Sequence, residues 1–238
     1  MMKRIIFYVI FFCIALPVIA GDVAAFVDEG FSQDGNLYVF GQYGSLDKVW
    51  QGFAEIYTVD IAKNDYTDSG CFETAASSAT AGKSGHSVYE DLRKKNAQYI
   101  DSLALTSVNI DNILYIKSNT KNPLDTITFQ DFEGSAESNP VVYKISLVPW
   151  FSGTTATSVS SFFISVEKFD IDGNMIGTQV IGNPDIKRKG VVGYSIEKIM
   201  RSPDGKNLIF IVEKILQTEN GESIRYMVET LVDSRFRT

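Results

Sequence analysis

The chain has 238 residues, 45% of them hydrophobic, and a formal net charge of −7 at pH 7. A core of that size is sufficient for a folded protein without staples. The negative charge excludes the two commonest uses of a basic surface, holding nucleic acid phosphates and binding anionic lipid through a polybasic patch.

The N-terminus carries Lys3 and Arg4, then an apolar run over 5–16, Pro17, and compact residues at Val18 and Ala20. The run falls short of the ~20 apolar residues a spanning helix needs. The pattern is that of a cleavable signal peptide over 1–20, cut between Ala20 and Gly21. Cys13 follows the bulky Phe12, which argues against a lipid-modified cysteine. The expected product is a periplasmic or secreted domain spanning 21–238, with no membrane span after cleavage. Loss of Lys3 and Arg4 leaves it more acidic still. Its one remaining cysteine, Cys71, permits no internal disulfide, and is expected to serve as a small buried hydrophobe.

The first strand signal is Gly30-Phe31-Ser32-Gln33-Asp34-Gly35, followed by Asn36 and the apolar run Leu37–Phe40. Asp-Gly centres a β-turn: glycine supplies positive φ, and the Ser or Asp side chain bonds the turn backbone. A partner strand is expected over 54–60. The Tyr43–Trp50 connection holds two large aromatics, so Tyr43 and Trp50 are candidate binding residues on a loop. Residues 74–85 are small and polar and read as a loop.

A helix is expected over about 88–102. Ser87 and Glu90 have capping-box spacing, and Val88, Leu92, Tyr99 and Leu103 form a rough helical stripe. Short β-branched or aromatic runs at 113–117, 125–129 and 141–148 read as strands. Residues 162–169 and 175–181 flank Asp170-Ile171-Asp172-Gly173-Asn174, a hairpin signal. Near the end, Ser202-Pro203-Asp204-Gly205 launches Leu208–Phe210, with a partner strand at 225–231. It repeats the pattern of Ser32-Gln33-Asp34-Gly35. The fold expected is mainly β with one helix, as an antiparallel sandwich or propeller-like sheets with similar N- and C-terminal hairpins.

No catalytic, metal or cofactor set assembles. His86 is the only histidine, and Gly82-Lys83-Ser84-Gly85 lacks both the hydrolase elbow spacing and the first phosphate-loop glycine. One histidine and one mature cysteine cannot make a structural zinc site. The 170–174 segment has its glycine at the fourth position, where a calcium loop requires the sixth. The carboxylate pairs Asp131/Glu133 and Asp28/Glu29 read as solvated surface. So do the basic clusters Arg93-Lys94-Lys95 and Lys187-Arg188-Lys189.

The two Ser-x-Asp-Gly strand starts resemble those of propeller-type repeats such as the TolB-like family. Over the whole mature chain, Gly30–Gly35, Phe40-Gly41-Gln42-Tyr43-Gly44, Ala54–Asp60, Gly193-Tyr194-Ser195-Ile196-Glu197 and Ser202–Gly205 resemble a bacterial family of predicted secreted proteins, domain of unknown function 2259. That resemblance implies export and a shared fold, and no chemistry. The function expected is a non-catalytic binding or scaffolding module whose partner is a protein or an envelope component. The alternative is a carboxylate-dependent hydrolase acting on envelope glycans.

Overall fold

The structure, a computed structural model, describes residues 22–46, 50–118, 122, 125–131, 140–154, 158–218 and 221–233. The leader 1–20 and Glu133 lie outside the described residues. Three antiparallel sheets account for most of the chain. The first is the meander β1 (Ala25–Phe31), β2 (Leu37–Leu46), β3 (Gln51–Asp60) and β4 (Asp65–Thr74). The second holds β6 (Ile127–Asp131), β7 (Val141–Ser152), β8 (Val159–Phe169) and β9 (Met175–Ile181), with the short β10 (Arg188–Lys189) also on β8. The third has the order β13 (Gly221–Val232), β12 (Asn207–Thr218), β11 (Val191–Arg201), β5 (Ile113–Ile116).

The third sheet is the middle layer. Along β12, Leu208, Phe210 and Val212 pack with Tyr143, Ile145, Phe162 and Ile164 of the second sheet. The alternate residues Ile209 and Ile211 pack with Phe31, Tyr38 and Phe40 of the first. Side chains alternate across a strand, so a strand buried on both faces needs an unbroken apolar run, which Leu208–Val212 is. The opposite face of the first sheet is covered by helix. Val39, Ala54 and Ile56 meet Val88, Tyr89, Leu92 and Ile100.

The helical segment differs from expectation in two ways. It starts earlier, with Ser84 as the N-cap accepting from the Ser87 N–H at 3.1 Å. It also splits into α1 (Gly85–Lys95) and α2 (Ala97–Ser102) at Asn96. The Asn96 amide donates to the Leu92 carbonyl at 2.9 Å, a side chain competing for a backbone acceptor.

The repeated turns match bond for bond. Ser32 Oγ donates to Asp34 at 2.6 Å and Ser202 Oγ to Asp204 at 2.6 Å. The Leu37 and Asn207 N–H groups donate to those serine oxygens at 2.9 and 3.0 Å. Gly35 and Gly205 have φ of 71° and 74°. The first turn joins β1 to β2 and the second joins β11 to β12, each at the start of an antiparallel meander.

Candidate functional site

The Phe40–Gly44 motif is absorbed by packing. Phe40 is in the core between the first and third sheets. At Gly41 a Cβ would stand 2.3 Å from the Tyr89 ring, so only glycine admits the helix there. Gln42 acts as a substitute strand neighbour: its amide donates to the Tyr226 carbonyl at 3.2 Å and accepts from the Tyr226 N–H at 2.8 Å. This closes part of the outer edge of β13, which would otherwise offer unpaired backbone groups. Tyr43 lies in β2, not in the loop, and its ring packs against His86 and Tyr89. Trp50 is 75% exposed at the turn before β3, with φ of 48°. The two aromatics do not share a pocket.

The carboxylates singled out from sequence have structural partners. Asp28 is bonded by Tyr38 and, at 2.6 Å, by Lys198. Glu29 is bonded by Tyr89 at 2.6 Å and by Arg93. Asp131 is buried and paired with Arg201. Cys71, expected to be buried, is exposed, because β4 is an edge strand. Partial burial and the nearby Asp65 and Asp68 push its thiol up, away from the reactive thiolate.

A cleft of about 600 Å³ lies where all three sheets converge, within the range typical of small-molecule sites. The first sheet contributes the β3–β4 turn, with Lys63, Asn64, Asp65 and Tyr66. The second contributes the segment after β9, including Ile186 and Arg188, and the third contributes Lys214 and Glu229.

Each polar group is placed by a local feature. Asn64 adopts φ of 55°, a conformation asparagine tolerates better than most residues. Its amide then donates to Glu229 Oε2 at 2.6 Å and accepts from the Thr230 N–H at 2.5 Å. Arg188 lies over the Phe162 ring, 4.9 Å from its centroid. One Nη1 bond reaches the Ile186 carbonyl at 3.5 Å, and Nη2 stands 4.0 Å from Glu229. That last separation is an ion pair without a hydrogen bond. Lys214 is half-buried, and among the described residues no hydrogen bond or ion pair reaches its ammonium.

Burial pushes the Glu229 carboxyl above its ordinary value, against the Asn64 bond and the Arg188 charge, which act the other way. Burial also lowers the Lys214 ammonium. Glu55 opposes that shift, and Arg188 and Arg225 add to it. A carboxyl pushed up and an ammonium pushed down by burial in one cleft are perturbations that cluster at functional sites.

A second polar cluster lies on the face of the third sheet toward the first. Lys117 reaches Glu213, Glu197 at 3.3 Å and Ser195 at 3.2 Å, and Ser195 donates to Glu213 at 2.5 Å. This is where the Ser195 and Glu197 of the Gly193–Glu197 motif go. Every group in it has a partner, although one ammonium serves two carboxylates, and burial and the Glu213 charge push the Glu197 carboxyl up.

Sequence reasoning missed the cleft. Lys187-Arg188-Lys189 was read as a solvated loop, and Asn64, Lys214 and Glu229 carried no motif. The readable signal was the Asn64-Asp65 turn beside a strand end. No cluster of three or more metal-ligating side chains occurs among the described residues.

The family model described as "Predicted secreted protein (DUF2259)" matches residues 39–231. No curated protein and no solved structure matches the chain. Among the described residues no helix is long and apolar enough to cross a membrane.

Proposed function

This chain belongs to the predicted secreted protein family DUF2259, and on that premise we propose that it is exported and acts as a binding module through the three-sheet cleft. Export to the periplasm or medium, with cleavage between Ala20 and Gly21, follows the signal pattern of the N-terminus. The observation that carries the binding reading is the cleft itself. Its wall draws on all three sheets, so a ligand there is held by the rigid part of the molecule. Its polar groups point inward, and several lack full partners.

The competing reading, a hydrolase using paired carboxylates on envelope glycans, is favoured by one observation: Glu229 and Asp65 line the same cleft, and Glu229 is held toward its protonated form. A glycosidase pair flanks a sugar with both carboxyls free to act. Here Glu229 is engaged by Asn64 at 2.6 Å and has Arg188 beside it, which supports binding over hydrolysis.

The test is a thermal-shift screen of the purified protein with sugars, glycan fragments, nucleotides, small organic acids and divalent metals. A ligand that binds only the native state raises the melting temperature by mass action. The expected result is a shift with one ligand class that disappears in Ile186→Trp, which fills the cleft from an exposed lining position. Release of reducing sugar from envelope glycan, lost in Glu229→Gln, would replace the binding reading with the hydrolase. A ligand whose shift survives Ile186→Trp would move the site elsewhere.

A further inference from the structure

We propose that the cleft is an oxyanion site: it takes a small molecule bearing a carboxylate or phosphate group, gripped by the Arg188 guanidinium and neutralised by Lys214. This rests on the cleft being the binding site and adds the chemistry of what enters it. The first support is the pair of cations left over in the cleft. Of its three cationic side chains Lys63 is paired with Asp60 at 2.8 Å. That leaves Arg188 and Lys214 to face Glu229, in a molecule whose overall charge is −7. Salt screens exposed charges beyond ~8–10 Å, so the cleft's own groups dominate what a ligand meets inside.

The second support is the state of Arg188. A guanidinium carries five N–H donors in a planar fork. Here only one long bond, to the Ile186 carbonyl at 3.5 Å, is made with the protein. The side chain is 17% exposed and lines the cleft, so the remaining donors are available to a ligand there. Phe162 fixes the plane of the fork from one side, as a bidentate grip on carboxylate or phosphate requires. Glu229 stands near enough to attract the fork and too far to saturate it.

The third support is Lys214. An ammonium taken partly out of water without an ion-pair partner is costly to the fold. A ligand anion placed between Lys214 and Arg188 would relieve both their mutual repulsion and that desolvation. Glu229 then competes with the ligand for Arg188, and its removal is expected to tighten binding.

The experiment measures calorimetric affinity of the purified protein for glucose 6-phosphate, inorganic phosphate and succinate, with glucose as the neutral control. Wild type is expected to bind at least one of the anions and to bind glucose more weakly. The preferred anion separates a phosphate from a carboxylate ligand. Arg188→Gln is expected to weaken binding at least roughly tenfold, the scale of a lost charge-assisted hydrogen bond. Arg188→Lys, which keeps the charge and loses the fork, should fall between. Glu229→Gln should strengthen it, and binding should weaken with added salt. Circular dichroism on each variant separates lost binding from lost fold, and the Arg188→Lys and Glu229→Gln results stand if Arg188→Gln is unfolded. Glucose binding as well as glucose 6-phosphate, with both blocked by Ile186→Trp, would overturn the oxyanion assignment and leave the cleft as a binding site. Anion binding unaffected by Arg188→Gln would overturn the assignment as well. Failure of all three anions at millimolar concentration would also overturn it, and failure of the wider screen too would remove the binding reading beneath it.

Discussion

Two polar clusters flank the third sheet, and they solve the same problem oppositely. Around Lys117, one ammonium is shared by Glu213, Glu197 and Ser195. Around Glu229, Arg188 and Lys214 gather near one buried carboxyl that is already held by an asparagine. The first arrangement leaves little for a ligand to do. The second leaves a guanidinium and an ammonium short of acceptors. Buried charge alone therefore does not mark a site. The informative quantity is whether each charged group has a bonded partner, and of these two clusters it is the cleft that leaves cations without one.

The largest effect that tests this contrast is expected from Lys117→Met. It strands two partly buried carboxylates, and removing one member of a buried pair costs on the order of 3 kcal/mol. Urea denaturation would measure the loss. A loss below about 0.5 kcal/mol would mean that the Lys117 cluster is solvated and that the contrast does not exist.

A smaller effect follows from pH. Burial holds the pKa of the Glu229 carboxyl in the folded protein above its ordinary value of 4.5. Between those two values the folded protein binds more protons than the unfolded chain, so stability falls as pH rises through that window. Glu229→Gln stays neutral throughout and is expected to remove that part of the slope, read as melting temperature against pH. An unchanged slope would show that Glu229 ionises in the folded protein as freely as in water.

The smallest effect is expected at Lys214→Met. No partner is orphaned and repulsion with Arg188 is relieved, so stability should stay within about 0.5 kcal/mol of wild type or rise. A loss approaching that of Lys117→Met would reveal an ion pair at Lys214 and put the two clusters in the same class.

Much of the fold was legible because local chemistry decides it. The Ser-x-Asp-Gly turns, the Asp170–Asn174 hairpin and the strand runs at 113–117, 141–148 and 208–210 all depend on residues near one another in sequence. The unbroken run Leu208–Val212 even carries the mark of a strand covered on both sides. The helix break at Asn96 was less legible, because a single side-chain bond to Leu92 makes it. The cleft was not legible. Asn64, Arg188, Lys214 and Glu229 are distant in sequence, and each is ordinary on its own. Only the stacking order of the sheets brings them together. The aromatic pair Tyr43 and Trp50 looked more promising because aromatics are conspicuous, yet Tyr43 serves the contact between β2 and α1.

The stacking order sets the timing of assembly. The middle layer is built from β5 and from strands within 191–232, whereas the two outer layers come from residues 25–74 and 127–189. A ribosome delivers both outer layers before the one that joins them. Until β11 and β12 arrive, Phe40 and Phe162 have no third sheet to face, and the inner faces of two sheets stand uncovered. Strands pair almost entirely with their neighbours in sequence, so the slow step is the stacking of sheets whose contacts lie far apart along the chain. The C-terminal hairpin is thus the keystone: a chain interrupted before Asn207 would keep the packing of α1 and α2 on the first sheet and lose the third sheet's wall of the cleft and most of the contact between layers.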